Sequence, residues 1–120
     1  MSLTVTIISY FFGALLVFAG MMHVAKPQIF KHFIPAFLPK KAVNYVVGFI
    51  EFSLGLGLFF SQTQKPVALG VLLLMLVFLP IHIWDATKTR PAIGSKKIAY
   101  VRIPLQFVLM YFAYLIYIQS

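Results

Sequence analysis

Pro66–Trp84 reads PVALGVLLLMLVFLPIHIW, without one Asp, Glu, Lys or Arg. As a helix rising about 1.5 Å per residue it is roughly 28 Å long, close to the ~30 Å hydrocarbon core of a bilayer. A sheet is excluded, because its open edges would leave backbone groups unpaired in lipid. Three more stretches have the same character. Residues 1–25 and 103–120 carry no charge, and residues 42–64 carry only Glu51. The expected fold is all-α, an integral membrane four-helix bundle in one domain over residues 1–120. Its spans are predicted near 3–24, 42–62, 66–86 and 98–118, with a short interfacial segment after the first helix. The first stretch has no basic n-region and runs longer than a signal-peptide core, so it reads as a mature helix.

Composition points the same way. Hydrophobic residues make up 62% and charged residues 10%, against about a quarter charged in a soluble domain. The net charge of +8 would suggest nucleic acid in a soluble protein. Here the basic residues fall in short tracts between apolar runs, which excludes that reading. Cysteine is absent, so disulfides and thiolate metal sites are excluded too. Lys26, Lys31, Lys40 and Lys41 lie between spans one and two, and Lys88, Arg90, Lys96 and Lys97 between spans three and four. Only Lys65 lies in the other loop. By the positive-inside rule the protein is expected in the cell membrane, with both termini on the non-cytoplasmic side.

The loop Gln62-Thr63-Gln64-Lys65 is tight, and Pro66 suits a first helical turn. Spans two and three should therefore be antiparallel neighbours. In the longer first loop, Ile29, Phe30, Phe33 and Phe37 form an apolar stripe opposite Lys31, which predicts a short helix lying in the interface. The same segment capping the bundle as a lid is the alternative. Gly13, Ala14, Ala19 and Gly20 in span one, and Gly48, Ser53, Gly55 and Gly57 in span two, are small enough for helices to touch. Pro80 frees the carbonyl of Leu76 inside span three. Trp84, Tyr114 and Tyr117 suit an aromatic belt, while Tyr100, Phe107, Tyr111 and Phe112 read as packing.

Ionisable groups inside spans are expensive and normally face a bundle interior or cavity. They are His23, Glu51, His82, Asp85 and Arg102, with Gln106 one turn beyond Arg102. All six fall in the cytoplasmic half, Glu51 roughly 15 Å past Lys41. A pair between Glu51 and Arg102 would offset the cost of burying each charge. His23, Glu51, His82 and Asp85 also supply nitrogen and oxygen ligands of types that suit Zn, Fe or Mn, at a spacing that matches no standard metal motif. A quinone or lipid headgroup held by His, Arg and Gln is equally compatible, and a proton relay through Glu51 and the histidines is a further reading that no motif specifies. His32 reads as an interfacial residue. No Ser/His/Asp arrangement, phosphate-binding glycine loop or heme-attachment sequence occurs.

Three stretches of the chain resemble the DoxX-like family of small four-helix membrane proteins. AGMMHVAKPQIFKHFIPAFLP (19–39) is similar to its A-G-x-x-H-F-x-x-P-x-x-F…P-x-x-L-P run. GFIEFSLGLGLFF (48–60) is similar to its G-x-x-E-x-x-x-G-x-G segment, and VRIPLQFVLMYFAY (101–114) to its R-x-P-x-Q segment. Val24 stands where an aromatic usually follows the His, Phe112 where Trp is expected, and His82 where Asn is frequent. The resemblance implies that His23, Glu51, Arg102 and Gln106 recur as a set. It implies an accessory subunit of a membrane redox or stress-response system, with membrane oxidoreductase subunits as partners. An assembly or chaperone-like protein with a purely structural cluster is the alternative, and a metal-dependent membrane enzyme a third. A second copy of the chain is a further candidate partner.

Overall fold

The computed structural model describes residues 1–120. The chain forms four α-helices and no strand: α1 (Leu3–Ala25), α2 (Lys40–Gly57), α3 (Gln64–Thr87) and α4 (Lys96–Gln119). Two 3-10 turns, Pro27–Ile29 and Lys31–Phe33, follow α1. The bundle measures 43 × 27 × 18 Å. Ser2 caps α1 by accepting from the Val5 amide, and Ser95 caps α4 by accepting from the Ile98 amide. Both hydroxyls satisfy amides that a helix start leaves unpaired. Helix α3 runs unbroken through Pro80, and α4 through Pro104.

α1, α3 and α4 are each long and apolar enough to cross a membrane. α2 falls short of that by composition, since its 18 residues include Lys40, Lys41 and Glu51. It also stops five residues before the expected end. Gly55 and Gly57 are weak helix formers, and the chain end they loosen is captured by side chains. Thr63 Oγ1 donates to the Gly57 carbonyl at 2.6 Å. Ser9 Oγ and Gln64 Nε2 both donate to the Leu58 carbonyl, at 3.0 and 2.9 Å. Ser9, Leu58 and Gln64 are all buried, so this network pairs polar groups that water cannot reach.

The helices associate as two pairs, α1 with α2 and α3 with α4. α2 and α3, expected as antiparallel neighbours, do touch, but neither is the other's main partner. They meet near their shared turn, where Gly57 faces Val67 and Gly70 faces Leu54, and pack only sparsely otherwise. In α1 and α2 the close approach runs through glycine. A Cβ at Gly20 would lie 2.5 Å from the Gly48 carbonyl oxygen, and one at Gly55 would lie 2.7 Å from the Gly13 carbonyl oxygen. Gly13 thus opposes Gly55 and Gly20 opposes Gly48, two turns apart on each helix. Ala14 and Ser53, grouped with these glycines by size, are exposed instead.

The two pairs join at the end holding the α2–α3 turn. There Val5, Phe12, Leu16, Leu58, Ala68, Val71, Met75, Ala113 and Ile116 form one buried cluster. Much of the outer surface is apolar, with Phe11, Phe49, Tyr100, Phe107 and Tyr111 exposed. The last three were expected to pack; they face outward. Toward the opposite end the pairs separate, and the segment after α1 closes the gap. Its apolar residues do not share one face as the interfacial-helix expectation required. Phe30 and Phe33 point inward against His23 and His82, whereas Phe37 is 84% exposed. The segment is a lid. Two lysines clasp it, Lys40 Nζ donating to the Lys31 carbonyl at 2.9 Å and Lys88 Nζ to the His32 carbonyl at 2.6 Å.

Gly20→Ala or Gly48→Ala forces backbone against backbone and should lower stability by about 1–3 kcal/mol. Gly70→Ala meets only the movable tip of Leu54 at 3.0 Å and should cost less. Thermal unfolding of the detergent-solubilised chain ranks the three, and equal melting temperatures would contradict the glycine seam.

Candidate functional site

The seam between α1 and α2 puts one row of side chains next to another. On α2 the buried face is Asn44, Gly48, Glu51 and Gly55, spaced at i, i+4, i+7 and i+11, one stripe of a helix. Gly48 admits the base of His23, whose Cβ lies 2.8 Å from the position a Gly48 Cβ would take. The His23 ring therefore lies between Asn44 and Glu51. Its Nδ1 is 2.8 Å from Asn44 Oδ1 and its Nε2 is 3.3 Å from Glu51 Oε1. Phe30 of the lid stacks on the ring at 3.7 Å between centroids.

Hydrogen-bond roles follow from the ends of this chain of contacts. Asn44 Nδ2 donates to the Pro27 carbonyl at 3.2 Å, and a carbonyl only accepts. Asn44 Oδ1 consequently faces His23 and accepts from Nδ1–H. Nε2 is then the nitrogen turned to Glu51 Oε1, 3.3 Å away, an ion pair when the imidazole is protonated. Facing each other lowers the cost of burying the two polar groups.

A cavity of about 410 Å³ opens beside this pair, between the two helix pairs and beneath the lid. Most of its wall is apolar. Its polar wall is made by His23, Asn44, Glu51, His82 and Arg102, while Phe12, Leu16, Met75 and Leu109 form the far end. His82 meets Phe33 edge-on. Arg102 Nη1 is buried and has no hydrogen-bond partner.

Of the six residues expected together, His23, Glu51, His82 and Arg102 line the cavity. Asp85 does not. It is 1% exposed and accepts from the Ala92 and Ile93 amides at 2.7 and 3.3 Å, with Lys88 Nζ 3.3 Å away. It organises the α3–α4 loop. Gln106 also sits outside the cavity wall, completely buried, and donates through Nε2 to the Met75 carbonyl at 2.6 Å. Its Oε1 is buried without a partner. The expected Glu51–Arg102 pair does not form, because the glycine seam places His23 closer to Glu51 than the α4 side chain comes. The candidate metal ligands His23, Glu51, His82 and Asp85 likewise do not converge, and no three His, Asp or Glu side chains are grouped to hold an ion.

Sequence reasoning missed Asn44, which orients His23. Its signal was the seven-residue spacing to Glu51 on one face of α2. It also missed Ser9 and Gln64, which no pattern in either helix announces.

Residues 12–117 match the family described as "Domain of unknown function (DUF8561)". The chain belongs to that family. No curated protein and no solved structure matches the chain. This DUF8561 domain thus covers the seam, the lid and the cavity-lining residues alike.

Asn44→Ala leaves His23 Nδ1 without its partner and the Pro27 carbonyl with only the Phe30 amide, and should cost about 1–3 kcal/mol. Glu51→Gln keeps a donor for Nε2 and should cost less. Thermal unfolding of both variants checks the order; a larger loss for Glu51→Gln would mean that charge, not pairing, holds the site.

Proposed function

We propose that this DUF8561 protein is an integral membrane protein that crosses the bilayer four times and holds a quinone-like or lipidic amphiphile between its helix pairs. In this reading it serves as an accessory subunit of a membrane redox or stress-response system. The cavity carries the proposal. Its volume of about 410 Å³ falls within the roughly 300–1,000 Å³ of small-molecule sites, and an apolar wall with a few converging polar groups is their usual lining.

Counting α2 as the fourth span rests on where its charges lie. Lys40 and Lys41 open the helix at the lid end, where long side chains reach the interface. Glu51 faces His23 Nε2 at 3.3 Å. The rest of α2 is free of charge. Eight basic residues cluster at the lid end and in the α3–α4 loop, against Lys65 alone at the other, which supports a cytoplasmic lid and N-out, C-out termini. The redox association rests on the DoxX-like resemblance. Of the set that resemblance marks, His23, Glu51 and Arg102 line the cavity and Gln106 bonds to Met75 in its wall. A His–Glu pair beside the ligand space suits a carrier that takes up protons with electrons.

The second reading, an assembly or chaperone-like protein, is favoured by the bonds from His23 through Asn44 to Pro27, which tie α1, the lid and α2 together whatever the cavity contains.

Purification from native membranes in mild detergent, with mass spectrometry of proteins and of an organic extract, tests the choice. A near-stoichiometric amphiphile together with oxidoreductase subunits is expected. Partner proteins without any amphiphile would favour the assembly reading, and neither would overturn both. Topology is testable because the chain has no cysteine. Single cysteines at Ser61 and Ser120 should react with an impermeant maleimide on intact cells, and one at Thr89 only after permeabilisation. The reverse pattern would overturn the orientation.

A further inference from the structure

The chain has only two acidic side chains, Glu51 and Asp85, and the structure commits both. Glu51 faces His23 Nε2 at 3.3 Å. Asp85 is held by Lys88 and two loop amides, away from the cavity. Arg102 is therefore a cation in the cavity wall with no carboxylate of this chain to meet it. A guanidinium stays charged at any ordinary pH, and its Nη1 is buried without a hydrogen-bond acceptor. Such a group is costly unless something supplies the opposite charge. The other polar groups on that wall cannot supply it. Glu51 is turned to His23 Nε2 and makes no ion pair with Arg102, and His82 and Asn44 carry no negative charge.

The space in front of Arg102 has two unlike ends. His23, His82 and Arg102 lie toward the lid, and Phe12, Met75 and Leu109 lie toward the buried cluster. From His23 to Phe12 along α1 is about 16 Å. A long cavity, cationic at one end and apolar at the other, is the complement of a single hydrocarbon chain with an oxyanion head.

We infer that the cavity takes an anionic amphiphile, a carboxylate or phosphate monoester on one hydrocarbon chain, with its head on Arg102 and its chain running toward Phe12 and Leu109. This rests on the ligand-site reading above and narrows it from amphiphiles in general to acids. Arg102 can bind such a head with two parallel N–H donors, which a lysine cannot reproduce.

Native mass spectrometry of the full chain from nonionic detergent tests it, with dodecanoate, dodecanol or inorganic phosphate added at equal concentration. One dodecanoate per chain is expected, with dodecanol and phosphate each roughly tenfold or more weaker. Arg102→Gln should weaken dodecanoate by a similar factor, the loss of one charge-assisted contact. Dodecanol binding as well as dodecanoate would overturn the anionic head and leave the amphiphile site standing. Phosphate binding as well as dodecanoate would assign Arg102 to a free anion and overturn the inference. Binding of neither amphiphile would overturn the site as well. Should Arg102→Gln fail to fold, the comparison of acid with alcohol on the unaltered chain decides alone.

Discussion

Backbone meets backbone where α1 crosses α2, and that contact sets the register on which the rest depends. Gly13 opposes Gly55 and Gly20 opposes Gly48, so neither helix can slide by a turn without driving a side chain into a carbonyl. With this register, His23 lands against Gly48 and between Asn44 and Glu51. In an apolar surrounding, burying more hydrocarbon gives little drive for association, and close contact through small residues does more. The site is thus a consequence of how two helices are held, with no separate framework of its own.

The two ends of the bundle differ in what fills them. Near the α2–α3 turn, hydrocarbon side chains from α1, α3 and α4 close the interior, and Ser9 and Gln64 satisfy the buried Leu58 carbonyl at the end of α2. At the lid end the helix pairs are separated by a cavity, and the cover is a stretch of 3-10 turns rather than a helix. Phe30 and Phe33 seal that cover against the two histidines. Lysine ammonium groups from α2 and from the end of α3 donate to its Lys31 and His32 carbonyls. The Lys31 carbonyl accepts from the Ile34 amide as well, so Lys40 adds a second bond to a carbonyl the turn already uses. Positive charge here does structural work on the lid in addition to any role in orientation.

Much of the architecture was legible in the order of residues. The uncharged runs located α1, α3 and α4 within a few residues, because a helix in lipid must be both long and nearly free of charge. The polar set was legible for the same reason, since a charged group in such a run stands out at once. Its pairing was not. Glu51 and Arg102 have opposite charge and similar depth, which made them plausible partners, yet His23 holds Glu51. Asp85 shares a helical face with His82 by spacing, yet it turns to the amides of Ala92 and Ile93. Depth along a helix follows from counting residues, but the direction a side chain faces depends on which neighbour its helix rolls against.

What the sequence determined by itself is therefore the one-dimensional content: how many helices there are, which stretches carry charge, and that only two acidic side chains exist. Those facts need only the rise per residue and the cost of burying charge. The tertiary structure decided which helices pair, that the segment after α1 is a lid, and that Arg102 is the cation left without a partner in the cavity wall. Those depend on contacts between residues far apart in the chain, such as Gly20 with Gly48, and no local pattern records the rotation of one helix about its axis relative to the next.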